Sequence, residues 1–145
     1  ISDRVIVANV NARAAAIPAT GSGELPPEAL VWTFEESLPD TCSPLATERF
    51  VFLLTSEGIL TCLSADDGAK LWDHDFATAF RSSPSLVAGK VYLLAENGDT
   101  HIIAEKESFE ELGVAHLGEP SVCSPAFAEG RVYIRGASSL CSIGG

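Results

Sequence analysis

The feature of this sequence that most constrains its fold is an internal repeat with a period of about 40 residues. Three unrelated residue types keep this spacing, namely the prolines Pro44, Pro84 and Pro125, the tryptophans Trp32 and Trp72, and the glycines Gly58 and Gly98. The prolines are separated by 40 and 41 positions, and the tryptophan and glycine pairs by 40 each. Because chance does not place several residue types on one period, the chain is predicted to repeat one structural unit.

Each copy of the repeat predicts four short antiparallel strands. A Ser-Pro pair opens the first strand, because proline cannot donate to a strand ladder and therefore stands at a strand start or edge. Residues 50–54 and 90–94 are rich in Val, Phe, Tyr and Leu, which suit a pleated, half-buried surface. Gly58 and Gly98 then supply tight hairpin turns. Four strands in about 40 residues are typical of one blade of a β-propeller, so we predict an all-β propeller.

Aligning the copies divides the chain into four units. Residues 35–75 and 76–113 are predicted to form complete four-stranded blades. The unit 1–34 lacks a first strand, and the unit 114–145 lacks a last one. The fold prediction is therefore a partial ring with two complete and two incomplete blades. Since a partial ring leaves strand edges and blade faces unpaired, we expect either a protein that is longer at its N-terminus or self-association through open blade edges.

Charge and hydropathy narrow the classes of partner. The chain has 9 basic and 20 acidic side chains, a net charge of −11, which repels nucleic-acid backbones and anionic lipid. The negative charge instead favours a cationic partner, or it serves only to keep the chain soluble. No apolar run reaches the ~18 residues that span a bilayer, so we predict no membrane insertion. The sequence opens at Ile1 without a signal-like segment, which indicates a processed or excised chain.

The spacing and surroundings of the four cysteines indicate which roles they can have. Cys42, Cys62, Cys123 and Cys141 include no Cys-x-x-Cys pair, so a structural zinc site is not favoured. Their apolar or small-residue surroundings favour buried free thiols, with one or two disulfides as the alternative. Cys42, Ser82 and Cys123 each precede a Ser-Pro pair and should start inner strands near the central channel. They are interpreted either as a channel-rim binding surface or as small residues packed at the narrow axis.

The other polar clusters predict no catalytic centre and no metal site. Asp73, His74 and Asp75 are adjacent, but strand geometry places only the two carboxylates on one face, which favours a solvated outer strand. The glutamates between 105 and 111 favour a solvated acidic edge over a paired-carboxylate site. Residues 66–68 lack the further ligands of a calcium loop and are predicted to form a turn.

The phrase Leu63–Trp72, with Ser-Pro and Val-Tyr-Leu in the same repeat, resembles the repeat of pyrroloquinoline-quinone (PQQ)-type propellers. That family includes quinoprotein alcohol dehydrogenases and the propeller lipoprotein of the bacterial outer-membrane β-barrel assembly machine. In such blades an outer-strand Trp packs between neighbouring blades against the Ala and Gly of the third-strand turn. Trp72 with Ala65 and Gly68 resembles this structural dock.

The other two outer strands match the family pattern less fully. Trp32 is similar with Ala16 and either Gly21 or Gly23 in a longer turn. Leu112 is predicted to stand where the tryptophans stand in the other repeats, so weaker docking is expected in that blade.

The resemblance implies two classes of function. The favoured one is a non-catalytic propeller scaffold for protein or polymer binding, as the C-terminal half of a longer propeller. The alternative is a segment of a PQQ-dependent alcohol or sugar dehydrogenase, which needs cofactor-stacking residues, calcium and a catalytic Asp. None of these is recognisable in the sequence, so PQQ and calcium are expected only under the alternative. The resemblance also implies a periplasmic or extracytoplasmic location.

Overall fold

Four antiparallel sheets follow one another along the chain in the computed structural model, which describes residues 3–20 and 22–144. Blade 1 consists of β1 (Arg4–Ala8), β2 (Ala14–Pro18) and β3 (Trp32–Phe34), with a 3-10 helix at Pro27–Ala29. Blade 2 consists of β4 (Leu45–Ala46), β5 (Phe50–Leu54), β6 (Ile59–Ser64) and β7 (Lys70–Asp75). Blade 3 consists of β8 (Ser85–Val87), β9 (Lys90–Leu94), β10 (Asp99–Ala104) and β11 (Glu111–His116). Blade 4 consists of β12 (Ala126–Ala128), β13 (Arg131–Arg135) and β14 (Leu140–Ile143).

Within every blade, each strand pairs with the strand that follows it in sequence. The two central blades have four strands and the two flanking blades have three over the described residues, which confirms the predicted partial propeller. β11 continues to His116, so it extends past the boundary predicted at residue 113. No helix in the described part of the chain is long and apolar enough to cross a membrane.

The hydrophobic core lies between consecutive blades. β5 is buried along its whole length, and successive residues of a strand point to opposite faces. Val51 and Leu53 pack toward blade 1, in a cluster with Trp32. Phe52 and Leu54 pack toward blade 3, in a cluster with Leu93 and other residues of that sheet. Such a strand reads as a continuous apolar run because both of its faces are covered.

Glycine is required where a hairpin turn meets the connection to the next blade. Gly58 and Gly98 have φ values of +107° and +92°, in the region that L side chains rarely adopt. A Cβ at Gly58 would collide with the backbone carbonyl of Thr78, and one at Gly98 with that of Glu119. Each glycine carbonyl also accepts a backbone hydrogen bond from that connection, at 3.1 Å for Gly58 and 3.0 Å for Gly98.

Tryptophan docking runs from blades 1 and 2 to the turn of the blade that follows each of them. Trp32 is 6% exposed, and its Nε1 donates to the Ala65 carbonyl at 2.9 Å. Its ring covers Gly68 so closely that an added Cβ would lie 2.7 Å from the indole. Trp72 is half-buried, and its Nε1 donates to the Lys106 carbonyl at 3.1 Å. Ala65 and Gly68 therefore receive Trp32, whereas Trp72 of the same blade reaches the next turn.

The predicted partners of Trp32 in its own blade have different roles. Ala16 is its cross-strand neighbour in the ladder between β2 and β3. Gly21 lies outside the described residues, and a Cβ at Gly23 would meet nothing within 4 Å.

The prediction that Leu112 occupies the tryptophan position was wrong by one residue. In blade 2, Trp72 pairs with Cys62 beside a β-bulge, and in blade 3 Gly113 pairs with Ile102 beside an equivalent bulge. The turn before β11 is one residue longer than the turn before β7, which shifts the outer strand from a spacing of 40 to 41. Leu112 is consequently equivalent to Leu71 and is 46% exposed.

We predict that Trp32→Ala lowers the free energy of unfolding by about 3–5 kcal/mol, the usual cost of truncating a buried aromatic side chain. Trp32→Phe keeps a ring over Gly68 but loses the hydrogen bond, so we expect it to cost less. Trp72→Ala should also cost less than Trp32→Ala, because Trp72 is only half-buried. Urea unfolding followed by circular dichroism measures all three. A cost below ~1 kcal/mol for Trp32→Ala would contradict the docking assignment.

Candidate functional site

One end of the partial ring is formed by the connections between blades. We define the rim as residues 35–44, 76–84 and 117–125, which lead from each blade into the first strand of the next. Backbone hydrogen bonds fix the second and third of these connections to the hairpin turns of the preceding blade. The amide of Phe80 donates to the Ser56 carbonyl at 3.0 Å, and the amide of Ser121 donates to the Glu96 carbonyl at 3.1 Å. The rim is therefore a surface that consecutive blades build together.

The serines of the Ser-Pro pairs join neighbouring blades within the rim. The amide of Ser43 donates to Ser83 Oγ at 2.9 Å, and the amide of Ser83 donates to Ser124 Oγ at 3.0 Å. The proline that follows each serine begins the approach to an inner strand. The repeated Ser-Pro signal thus marks a chain of hydrogen bonds from blade to blade. The Ser-Pro pairs are evident in the sequence, but only the structure shows that their serines form these hydrogen bonds.

The three predicted rim residues have different environments. Cys42 is buried, and its Sγ donates to the carbonyl oxygen of Ser82 at 3.3 Å, while Ser82 is itself fully buried. Burial, and then the nearby charge of Asp40, raise the pKa of the Cys42 thiol to about 11. Cys123 is exposed. Of these three side chains, Cys123 alone is open to a binding partner.

The cysteines are all free thiols. Cys42 and Cys62 are buried as expected, whereas Cys141 is half-buried and Cys123 is exposed. The expectation of burial was therefore wrong for Cys123, because blade 4 has no further blade packed on it in the described chain. Burial raises the pKa of the Cys62 thiol to about 12.

Two charged groups of the rim are paired with residues of the adjacent hairpin turns. Asp40 accepts hydrogen bonds from the Ser56 amide at 2.9 Å and the Ser56 hydroxyl at 2.7 Å, and these bonds hold its pKa below the usual range. Arg81 Nε lies 2.6 Å from Glu96 Oε1. Sequence reasoning did not identify these residues, because their residue types are not repeated at equivalent positions of the other units.

Glu119 makes the largest set of these hydrogen bonds. Its carboxylate accepts from the Ser138 amide at 2.8 Å, from the Ser138 hydroxyl at 2.6 Å and from the Ser139 hydroxyl. The bonds from Ser138 and then Ser139 lower the pKa of Glu119 from the usual 4.5 to about 2. The carboxylate therefore ties the connection before blade 4 to a turn within blade 4.

A shallow pocket of about 270 Å³ opens at the blade 4 part of the rim. It is lined by residues 120–123 and 135–137, which include Val122, Cys123 and Arg135. Val122 is 58% exposed, so an apolar side chain stands beside a thiol and a guanidinium on this surface. This surface offers both apolar area and hydrogen-bond donors.

The histidines are held by neighbouring side chains. His74 stacks on Phe109 with ring centroids 3.8 Å apart, which differs from the solvated strand expected, because this face of β7 turns toward blade 3. His101 Nδ1 lies 2.7 Å from Glu111 Oε1, and His116 Nδ1 lies 2.6 Å from Asp99 Oδ1. The described residues contain no group of three His, Cys, Asp or Glu side chains placed to hold a metal ion.

Blades 3 and 4 leave an apolar space between them. Gly113 and Ala115 occupy the strand positions that Trp72 and His74 fill in blade 2. A cavity of about 220 Å³ remains there, and its lining includes Ile102, Phe127 and Ile143. The small side chains of β11 therefore make this inter-blade contact less filled than the one between blades 2 and 3.

Comparison with known proteins identifies related sequences and folds. A family model described as outer membrane protein assembly factor BamB matches residues 26–112 and, in a second overlapping match, residues 56–143. No curated protein sequence matches the chain.

Several solved structures share its fold. BamB from Moraxella catarrhalis superimposes with a TM-score of 0.79 at 16% identity, over 98% of this chain and 43% of that one. BBS1N, solved in complex with ARL6DN, has a TM-score of 0.71 at 12% identity, over 96% of this chain and 45% of that one. The quinohemoprotein alcohol dehydrogenase ADHIIG from Pseudomonas putida HK5 has a TM-score of 0.59 at 16% identity, over 72% of this chain and 18% of that one. The chain thus spans less than half the length of each of these proteins.

We predict that Glu119 stabilises the fold in a pH-dependent way. Because its folded pKa lies below the usual 4.5, its contribution is present above pH 4.5 and is lost as the pH falls toward about 2. Glu119→Gln should lower the free energy of unfolding at neutral pH. It should also reduce the loss of stability that occurs as the pH falls from 4.5 toward about 2. Urea unfolding at neutral and acid pH measures the effect, with Glu24→Gln in an exposed loop as the control. Parallel curves for Glu119→Gln and the wild type would contradict the assignment.

We also predict that the thiols differ in reactivity. At about pH 8, Cys123 should react rapidly with Ellman's reagent, because its thiol is exposed to the reagent. Cys42 and Cys62 should stay unreactive until the protein unfolds, since burial raises their pKa values to about 11 and about 12. Cys123→Ser should remove the fast phase. A fast phase that survives in Cys123→Ser would show that another thiol is accessible.

Proposed function

We propose a scaffold function for this chain, which belongs to the PQQ-repeat propeller family of the outer-membrane protein assembly factor BamB. In this proposal it is a non-catalytic propeller that presents its rim to a protein partner on the extracytoplasmic side of a bacterial envelope. The match to BamB over 98% of the chain supports the assignment to this branch of the family.

The observation that carries the proposal is the use of the rim's polar groups to join blades. Asp40 and Glu119 accept hydrogen bonds from serines of adjacent turns, and Arg81 pairs with Glu96. An enzyme site needs groups aimed at a substrate, whereas these groups are directed at one another. What the rim offers outward is the pocket beside Val122 and Cys123. Such a mixed apolar and polar patch suits recognition of another protein.

The second candidate is a segment of a PQQ-dependent alcohol or sugar dehydrogenase, and the structural likeness to ADHIIG favours it. Its quinone would need an aromatic stacking surface, and its calcium would need free carboxylates. Two tryptophans and two rim carboxylates already have partners within the protein. Trp32 and Trp72 pack onto turns between blades, and the carboxylates of Asp40 and Glu119 are engaged by serines. These contacts support the scaffold over the enzyme.

We expect a photo-crosslinking side chain at the rim to capture a protein. Val122→benzoylphenylalanine should yield a protein adduct in the native envelope fraction, whereas the same change at Leu71, on the outer strand of blade 2, should not yield that adduct. Arg135→Glu, which reverses the charge beside the pocket, should reduce the adduct.

Two outcomes would contradict the scaffold proposal. One is equal crosslinking from positions 122 and 71, which would indicate non-specific capture. The other is saturable binding of the quinone with calcium in calorimetry, together with dye-linked oxidation of an alcohol or sugar by the full-length protein.

A further inference from the structure

The outer strand of blade 3 is open along its length, unlike the outer strands of blades 1 and 2. We propose that the free edge of β11 binds an extended segment of a partner protein, which joins blade 3 as a fifth strand. The segment would carry apolar residues in its middle and Lys or Arg at one end. β11 lies at the opposite edge of its sheet from β8, which follows the rim. The proposal is therefore independent of the rim function.

Proteins protect exposed strand edges with short strands or charged side chains, because an edge has unpaired N–H and C=O groups that can pair with another chain. β3 is protected by its length of three residues. β7 is protected by charge, since it contains Lys70, Asp73 and Asp75, and Lys70 Nζ lies 2.7 Å from Glu36 and 3.2 Å from Asp73. The middle of β11 has neither protection, because the strand is six residues long and residues 112–115 are Leu-Gly-Val-Ala, with Glu111 at one end.

The surface of β11 is free to receive another strand. All six of its residues are exposed, including Leu112 at 46% and Val114 at 40%. A Cβ added at Gly113 would meet no atom within 4 Å, so the face of β11 is also open at this position. In an antiparallel ladder, an edge strand directs alternate backbone groups away from its single neighbour. An added strand would pair with those groups and cover the two apolar side chains.

Charge selects the kind of segment. Four carboxylates stand at the start of β11, namely Glu105, Glu107, Glu110 and Glu111. Two permanent cations pair with them, since Arg49 contacts Glu107 at 2.6 Å and Lys106 contacts Glu110. Four negative and two positive groups leave a net charge of −2 at this end, with His101 also beside Glu111. Lys or Arg in the partner would be attracted there.

A second copy of this chain fits the edge less well than a basic partner. Each copy has a net charge of −11, so two copies repel each other as they approach. The same charge would attract a basic segment and raise its rate of association.

The test uses a synthetic peptide as the strand probe. The acetylated, amidated peptide Lys-Lys-Val-Thr-Val-Thr-Val is titrated into the full chain, and binding is followed by NMR shifts of backbone amides and by fluorescence anisotropy. We expect the shifts to concentrate in residues 111–116 and binding to weaken as salt rises. The matched peptide with Glu in place of Lys should bind about tenfold more weakly, a difference of about 1.4 kcal/mol.

Variants of the chain locate the binding edge. The double variant Leu112→Lys, Val114→Lys places charge on β11 and should abolish binding of the Lys peptide. Leu71→Lys changes the equivalent bulge residue of β7 and should leave binding unchanged, which makes it the matched control. Circular dichroism and urea unfolding establish that both variants are folded.

Three results would overturn the proposal. One is failure of the Lys peptide to bind the wild-type chain, and another is equal binding of that peptide to the double variant and to the wild type. Sedimentation could instead show a dimer of the wild-type chain that the double variant loses, which would make a second copy the occupant. None of these results bears on the crosslink at Val122, so failure here and failure of the rim proposal are distinguishable.

Discussion

The packing of one blade on the next is the interaction on which the rest of this structure depends. No single sheet has a core of its own, because the buried side chains of β5 divide between blade 1 and blade 3. Trp32 shows the principle most directly, since it belongs to one sheet and is buried by the turn of another. Stability is therefore distributed over contacts between neighbours, as in other repeat proteins.

The same dependence supports the proposed role of the rim as a binding surface. Its connections are fixed by hydrogen bonds at Ser43, Ser83 and Glu119, which are needed to join blades whatever the protein binds. A surface made rigid for structural reasons loses little conformational entropy when a partner binds. Specificity is then left to the few side chains that face outward, such as Val122, and these can vary without loss of the fold. A rigid set of connections with a few variable outward-facing side chains suits a scaffold.

The fold and its partial ring were predictable because the repeat fixes strand order and turns by local chemistry. Proline starts strands, glycine turns them, and alternating burial makes the apolar runs. One error arose from an irregular turn within a unit, and the other from a contact that depends on a neighbouring unit. Leu112 was misplaced because one extra turn residue moved Gly113 into the tryptophan position. Cys123 was expected to be buried, but it is exposed because the described chain places no blade beyond it.

The sequence by itself determined the period, the strands and the family, since all three rest on residues that act within about 40 positions of one another. Only the tertiary structure decided which groups meet. It matched Trp32 with Gly68 in the next blade and joined Glu119 to Ser138 across a turn. It also left β11 uncovered. These outcomes depend on distances between blades. The spacing of a repeat in the sequence does not specify those distances.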